Sequence, residues 1–251
     1  MAYISTREWQ SYIKRLSAIN SKAAEEMRKY VQTVGFVDTD ALIQRAYAIA
    51  TKYGEASATL SALMYDATAA LEGALVAPAV PAATASYHTV AKTVTGITNV
   101  SENVEMISLA VGRLVKQAGA DTTLQNALRD GAEFAWVPAG DTCAFCITLA
   151  SRGWQRASRN AIKNGHAEHI HSNCDCTYAI RFNERTNVRG YHPAEYRAMY
   201  DNADGSTPKA KINAMRREFY AENKDEINAQ KRDAYEKRQE LNSSAAEEAK
   251  V

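Results

Sequence analysis

The sequence predicts a mainly α-helical protein with a small α+β module, in which long helices surround short strands that flank a cysteine-rich metal or disulfide site. Through most of the 251 residues, apolar side chains recur every three or four positions, which is the period of amphipathic helices. That period gives way where the short aromatic runs "EFAWV" and "TYAIRF" lie on either side of all four cysteines. The composition, 46% hydrophobic and 24% charged, is that of an ordinary globular protein.

The first part of the chain is expected to contain three helices. The first begins at Ser5 or Thr6, whose hydroxyl can accept a backbone N–H, and ends at Gly35. The second follows Asp38, and the third spans residues 55–71. The apolar stripe of the first helix consists of Trp9, Tyr12, Ile13, Leu16, Ile19, Ala23, Met27, Tyr30, Val31 and Val34. We expect this stripe to form core between helices rather than a partner surface.

The run "ALVAPAVPAATASY" is predicted to be a loop or linker, because its two prolines remove backbone donors and restrict the preceding residues. It contains no charged residue, so we expect it to lie against another part of the protein. Helical periodicity resumes near Val104. A further short helix is expected from Thr122, which can form a capping box with Gln125, to Gly131.

The two aromatic runs are predicted to be strands, the first of them ended by Pro138. Helix is expected again from Pro193, with Pro208 separating a short helix from a long one. Beyond Asn223 apolar residues are sparse and charges of both signs alternate, so we predict a tail that becomes ordered only in an assembly. The predicted organisation is an N-terminal helical region (1–75), a Pro/Ala linker and loop (76–100), an α+β module with the cysteines (101–192) and a C-terminal helical tail (193–251).

Charge and targeting signals restrict the environment in which the protein is expected to act. The formal net charge is +1, which gives no overall attraction to nucleic acid or an anionic membrane. A local basic patch is still conceivable from four residues near the cysteines, namely Arg152, Arg156, Arg159 and Lys163. No apolar run reaches the roughly 18 residues of a membrane span, and the N-terminus does not resemble a signal peptide. We therefore expect synthesis in a reducing cytoplasm, where thiols remain available for metals, and no membrane partner.

The cysteines form the one dense chemical motif of the chain. Cys143 and Cys146 form a C-x2-C knuckle, and His171, Cys174 and Cys176 form H-x2-C-x-C. Two close pairs of soft donors can complete the tetrahedron that zinc requires in a closed structural site. The preferred ligand set is the four cysteines, and in a variant His171 replaces Cys174 or Cys176.

Other uses of these residues remain open at this point. The thiols could form two disulfides or pack in reduced form. A redox-active C-x2-C pair is less favoured, because the sequence lacks the alternating strands and helices in which such pairs usually occur. A zinc deaminase would need H-x-E before P-C-x2-C, but here the order is reversed. His166, His169 and Glu168 could assist a metal-dependent hydrolase, although no familiar hydrolase signature is present. The prediction is that the protein is not an enzyme.

"WVPAGDTCAFCITLASRGW" followed by "HSNCDCTYAI" resembles the phage Mu F-like (MuF) minor head proteins, and most closely the VG15-type minor capsid proteins of actinobacteriophages. The resemblance covers roughly residues 130–182. The four cysteines and His171 match the family positions. Ser172 stands where the family commonly has proline, and Asp175 stands where a basic residue is common, but neither change removes a ligand.

The resemblance implies a structural minor head protein of a tailed bacteriophage. Such a protein lies in the virion, inside the capsid or at the portal vertex, and assists head assembly or DNA packaging and ejection. Its implied partners are the portal and the major capsid protein, with packaged DNA as a further candidate. Some relatives are maturation proteases, which keeps the hydrolase alternative open. The remaining alternative is a zinc-stabilised nucleic-acid-binding module.

Overall fold

The computed structural model describes residues 3–139, 142–163 and 176–226, together with 228, 229, 232, 233 and 236. Four helices account for most of the first 130 residues, and a small sheet and shorter helices follow. In chain order the elements are β1 (Tyr3–Ile4), α1 (Thr6–Val34), α2 (Thr39–Glu72), α3 (Tyr87–Thr98), α4 (Val104–Asp130), β2 (Glu133–Val137), α5 (Ala144–Ala150), β3 (Gln155–Arg156), α6 (Arg159–Lys163), β4 (Thr177–Arg181), β5 (Asn187–Val188), α7 (Pro193–Asn202) and α8 (Pro208–Glu222). The predicted mainly helical fold with two strands beside the cysteine-rich segment is confirmed.

Local capping residues determine where the long helices begin and end. Ser5 caps α1 in a capping box, because its hydroxyl accepts the Glu8 N–H while the Glu8 carboxylate accepts from the Ser5 backbone. Gly35 ends the helix, and the Asp38 carboxylate caps α2 by accepting the Ala41 N–H at 2.9 Å. The predicted limits of α1 and the start of α2 are therefore confirmed.

Two predicted helix boundaries are wrong. The expected separate helix at residues 55–71 is the second half of α2, which runs unbroken through Gly54. A Cβ on Gly54 would lie 2.9 Å from Thr84 Cγ2, so this glycine admits a crossing segment instead of ending a helix. The expected helix start at Thr122 lies inside α4, where the Thr122 hydroxyl donates to the Ala118 carbonyl at 2.7 Å as helical threonines do.

The uncharged segment, residues 74–86, crosses α2 and α4 as an extended strap. Its backbone has no strand partner, so side chains from the two helices satisfy its polar groups. The amide of Asn126 forms both bonds of a backbone-like pair with Val80, each at 2.9 Å. The remaining bonds join Ala79 N to Asp66 (2.8 Å), Ala82 N to Thr122 (2.9 Å), and Arg129 to the carbonyls of Ala77 (2.7 Å) and Pro78 (3.0 Å). The expectation that this run lies against the protein is confirmed.

Residues 87–98, which were predicted to belong to the linker and loop, form α3 instead. Ser86 starts this helix by accepting the Thr89 N–H at 3.2 Å. Val90 and Val94, one turn apart, are buried in the core shared by α1, α2 and α4. The sequence prediction missed α3 because its apolar stripe is short and follows directly on the proline-containing strap.

At the end of α4, the Asp130 carboxylate holds Arg129, whose guanidinium bonds the strap carbonyls. Asp130 accepts two bonds from Arg129, both at 2.7 Å, and one from the Tyr65 hydroxyl at 2.8 Å. The bonds from Arg129 hold the pKa of the Asp130 carboxyl below its ordinary value, although burial opposes them. The folded state therefore favours the charged carboxylate.

We expect Asp130→Asn to lower the free energy of unfolding by about 1–2 kcal/mol at pH 7, because charge-assisted bonds are lost. The depressed pKa means that this stability is present above the unfolded-state pKa and is lost as the pH falls through the folded-state pKa. The wild type and the variant should therefore converge in acid. Urea unfolding at pH 7 and at about pH 3 measures this, with the exposed Asp204→Asn as the control. A constant difference between wild type and Asp130→Asn at both pH values would contradict the assignment.

The sheet places two strands from distant parts of the chain side by side. Its order is β3-β2-β4, all antiparallel, and Trp136 lies opposite Tyr178. Because side chains alternate along a strand, Phe134, Trp136 and Tyr178 share one face, while Ala135 and Val137 face α1 and α2. Separately, β1 pairs with β5 in a short parallel ribbon. The helical region and the sheet therefore share a core.

Most of the α1 stripe lies in this core as predicted, but Val34 at the end of the helix is 44% exposed. Trp9 and Tyr12 are buried, and Tyr30 packs partly buried against the adjoining cluster of α1, α2, α3 and α4. The Tyr12 hydroxyl bonds Ser61 Oγ at 3.1 Å, which satisfies both groups inside the protein.

The last two described helices pack against α5. Met215 of α8 and Ala203 after α7 form a small cluster with Ala144 of α5. Lys211 Nζ donates to three carbonyls at the end of α7, those of Tyr200, Asp201 and Ala203, at 2.9–3.0 Å. The expected helices at Pro193 and Pro208 are confirmed, whereas most of the predicted tail beyond Asn223 lies outside the described residues.

Within the described ranges, no helix is both long enough and apolar enough to span a membrane.

Candidate metal centre

Strand β4 and helix α5 bring three of the predicted ligands to one face of the sheet. Cys176 directly precedes β4, and strand alternation places it on the same face as Tyr178. Cys143 caps the start of α5, and Cys146 lies one turn later on that helix. All three thiols belong to the same cluster of packed side chains, although about thirty positions of sequence separate the two groups.

The knuckle has the local geometry that a thiolate ligand pair uses. The Cys146 amide N–H points at Cys143 Sγ, with an N···S distance of 3.5 Å. A backbone donor aimed at sulfur stabilises negative charge there, and metal-binding cysteines carry that charge. Cys146 and Cys176 have 0% of their surface exposed, and Cys143 is partly exposed.

Aromatic side chains form the wall of this cluster. The rings of Trp136 and Tyr178 meet edge to face at 4.7 Å, and Lys116 Nζ lies 5.9 Å from the Trp136 ring centre. Burial raises the pKa of the Tyr178 hydroxyl, and the pKa of Tyr196 on α7 is raised first by burial and then by nearby Cys176. Cys146 and Cys176 therefore lie in a water-poor environment between the sheet and α5, whereas Cys143 is partly exposed.

The remaining predicted site residues lie outside the described ranges. These are the ligand candidates His171 and Cys174 and the hydrolase candidates His166, Glu168 and His169. Among the residues that the structure does describe, no group of three or more His, Cys, Asp or Glu side chains is arranged to hold a metal ion. No disulfide joins any two of the three described cysteines. Zinc, its ligand set and the disulfide alternative therefore stay predictions.

The basic residues near the knuckle are exposed but spread over several elements. Arg152 follows α5, Arg156 lies in β3, and Arg159 begins α6. The Lys163 side chain lies outside the described part of the chain. The contribution of these residues to nucleic-acid binding stays untested.

The sequence analysis did not identify the aromatic wall as part of the site. Trp136 and Tyr178 were placed only in predicted strands, yet they lie beside the thiols because β2 and β4 pair. The available sequence signal was the position of Tyr178 two residues after Cys176, since residues 176, 178 and 180 of one strand share a face. What could not be predicted was the pairing register that sets Trp136 against Tyr178.

Comparison with models of protein families gives a match to this chain. The model of the VG15 protein family matches residues 3–203, which run from β1 to the residue after α7. No curated protein and no solved structure matches the chain. The family match covers α1 to α7, the sheet and the cysteine-rich segment, and it ends before α8. Because it spans well over half of the sequence, the chain belongs to the VG15 protein family, which is a family of phage proteins.

Proposed function

We propose that this protein is a non-enzymatic minor head protein of a tailed phage, in which a structural zinc ion stabilises the α+β module. The observation that carries the proposal is the family match over residues 3–203, which includes the segment with all four cysteines. The gathering of Cys143, Cys146 and Cys176 in one buried cluster supports a structural role for that segment.

Three thiolates with a fourth thiolate or an imidazole form a donor set that fits a structural zinc ion. Thiolates are soft ligands, and sites rich in cysteine are closed, four-coordinate and structural. Cys143, Cys146 and Cys176 would supply three ligands, with Cys174 or His171 as the fourth. A bound zinc ion would join α5 to the start of β4, and its binding energy would add to the free energy of folding.

The proposed location is the virion, at the portal vertex or inside the capsid, with the portal and the major capsid protein as partners. Packaged DNA is a secondary candidate, since the net charge of +1 gives little general attraction to it. Support comes from membership of a phage family and from the predominance of helical surface, which suits packing against other protein chains.

The test is whether the protein occurs in particles and binds their portal. Purified DNA-filled particles of the phage that encodes the chain are analysed by quantitative mass spectrometry, and the full chain is mixed with the recombinant portal ring. We expect a copy number well below that of the major capsid protein and co-migration with the portal. Absence from particles, or hydrolysis of a protein or DNA substrate that requires the chain, would refute the proposal.

A further inference from the structure

A groove of about 580 Å³ lies between the first half of α1 and the second half of α2. The two helices form a hairpin and run antiparallel, and the Tyr12–Ser61 bond joins them at this level. Ile4, Leu60 and Tyr12 are buried beneath the groove, so its base is already packed. None of the residues that line it belongs to the thiol cluster.

The α2 side of the groove carries an exposed apolar ridge. Leu63, Ala67 and Leu71 follow one another at intervals of four residues and therefore share one face of the helix. Leu63 is 60% exposed and Leu71 is 48% exposed. Single exposed leucines are common, but these two line the same groove, two turns or about 12 Å apart.

The α1 side carries two cations at the same spacing. Arg7 and Arg15 are exposed and eight residues apart, and neither takes part in an ion pair with any residue that the structure describes. The carboxylate between them, Glu8, is directed to the Ser5 backbone N–H and hydroxyl. The α1 rim of the groove therefore carries two cations and one carboxylate, which leaves a net positive charge.

We infer that this groove binds an amphipathic helix of a partner protein that carries carboxylates along one flank. Arg7 and Arg15 line the α1 wall of the groove and Leu63 and Leu71 line the α2 wall, and the members of each pair are eight residues apart. A helix in the groove would contact the leucines through apolar residues two turns apart and pair carboxylates at the same interval with the arginines. Charge complementarity selects an acidic flank over a basic one.

The probe is a fluorescent amphipathic peptide of about five helical turns, with leucines on one face and glutamates on the flank. Its binding to the full chain is followed by fluorescence anisotropy at several salt concentrations. We expect binding that weakens as salt rises, and a loss of about tenfold or more in the Arg7→Glu/Arg15→Glu double variant. A peptide with lysines on the flank should bind the wild type weakly and prefer that double variant.

Two matched controls separate the groove from general surface effects. Leu63→Asp/Leu71→Asp should abolish binding, whereas Leu75→Asp should leave it unchanged, because Leu75 is fully exposed outside the groove. Lys14→Glu changes an exposed cation of α1 that does not line the groove, and it should have little effect.

Three results would overturn the inference. One is equal binding of the acidic and basic peptides, or no binding of either. Another is dimerisation of the wild type that Leu63→Asp/Leu71→Asp removes, which would make the groove an interface between two copies. The third is binding of a synthetic peptide of residues 223–251 as tight as that of the acidic probe, which would assign the groove to the chain's own tail.

Discussion

Chelation of zinc is expected to lower the melting temperature of the wild-type protein by about 10 °C and to leave the Cys146→Ser variant unchanged. The shift corresponds to a loss of about 3–5 kcal/mol for a chain of this size. The reason is that Cys146 is fully buried beside Cys143 and Cys176, so one lost thiolate opens the site and removes its contribution to folding. Differential scanning calorimetry with and without chelator, together with elemental analysis, measures both effects.

Serine at a buried position destabilises the fold even without a metal, so the chelator response is the informative quantity. His88→Ala is the control, because His88 is exposed on α3 and outside the thiol cluster. It should retain one zinc per chain and the full chelator response. If the chelator had no effect but a reductant lowered the wild-type melting temperature, the cysteines would be disulfides and the zinc proposal would be wrong. The chelator test does not depend on whether the protein binds the portal, so the zinc proposal and the portal proposal can fail separately.

Replacement of Gly119 by valine is expected to lower the free energy of unfolding by about 3 kcal/mol, because α2 and α4 touch closely at this point. A Cβ at Gly119 would lie 2.6 Å from Ser57 Oγ and 2.8 Å from Ser61 Oγ, and 3.4 Å from the Ser57 carbonyl. Rotation of Ser61 would also break its bond with Tyr12, which joins α1 to this crossing. Urea unfolding of the full chain measures the change.

Gly96→Val is the matched control for this substitution. Gly96 lies in α3, and a Cβ there would meet no atom within 4 Å, so the variant should be as stable as the wild type. Gly119→Ala should cost less stability in a Ser57→Ala/Ser61→Ala background than in the wild type, since the two serine oxygens closest to the new Cβ are removed. Similar losses in Gly96→Val and Gly119→Val would show that the cost of a β-branched side chain in a helix, not the helix crossing, governs Gly119.

Boundaries that depend on neighbouring residues were predicted well. Ser5, Gly35, Asp38 and Gly131 act through the backbone of their own helix, so the sequence contains all the information about them. Both strands were also predicted, because aromatic and β-branched runs next to turn residues mark them locally.

The wrong predictions concern residues that act over long distances. A separate helix was predicted at residues 55–71 and another from Thr122, but both starts lie inside continuous helices. Here Gly54 makes room for Thr84 of the strap, and Thr122 accepts a bond from Ala82. The residues around these two positions do not indicate that the strap, 30–40 positions away in the sequence, packs there.

In the candidate metal centre, too, some features could be predicted from local sequence and others depend on long-range contacts. The chemistry of the thiols and their grouping into two clusters are properties of residue type and spacing, so zinc could be proposed from them. Whether the clusters meet depends on the pairing of β2 with β4, and this long-range contact brings Cys176 into the cluster with Cys143 and Cys146. Membership of the phage family likewise followed from the motif around the cysteines.

Residue type and local spacing therefore determined most helix caps, the two longer strands and the thiol motif, since these depend on contacts within a few positions. Only the packed structure decided the path of the strap, the crossing at Gly119 and the groove in which Arg7 and Arg15 face Leu63 and Leu71. Those features arise when helices far apart in sequence are brought into contact, and the free energy of that contact comes from burial shared among many residues. No local sequence motif predicts these contacts between distant helices, so they could be described only from the folded structure.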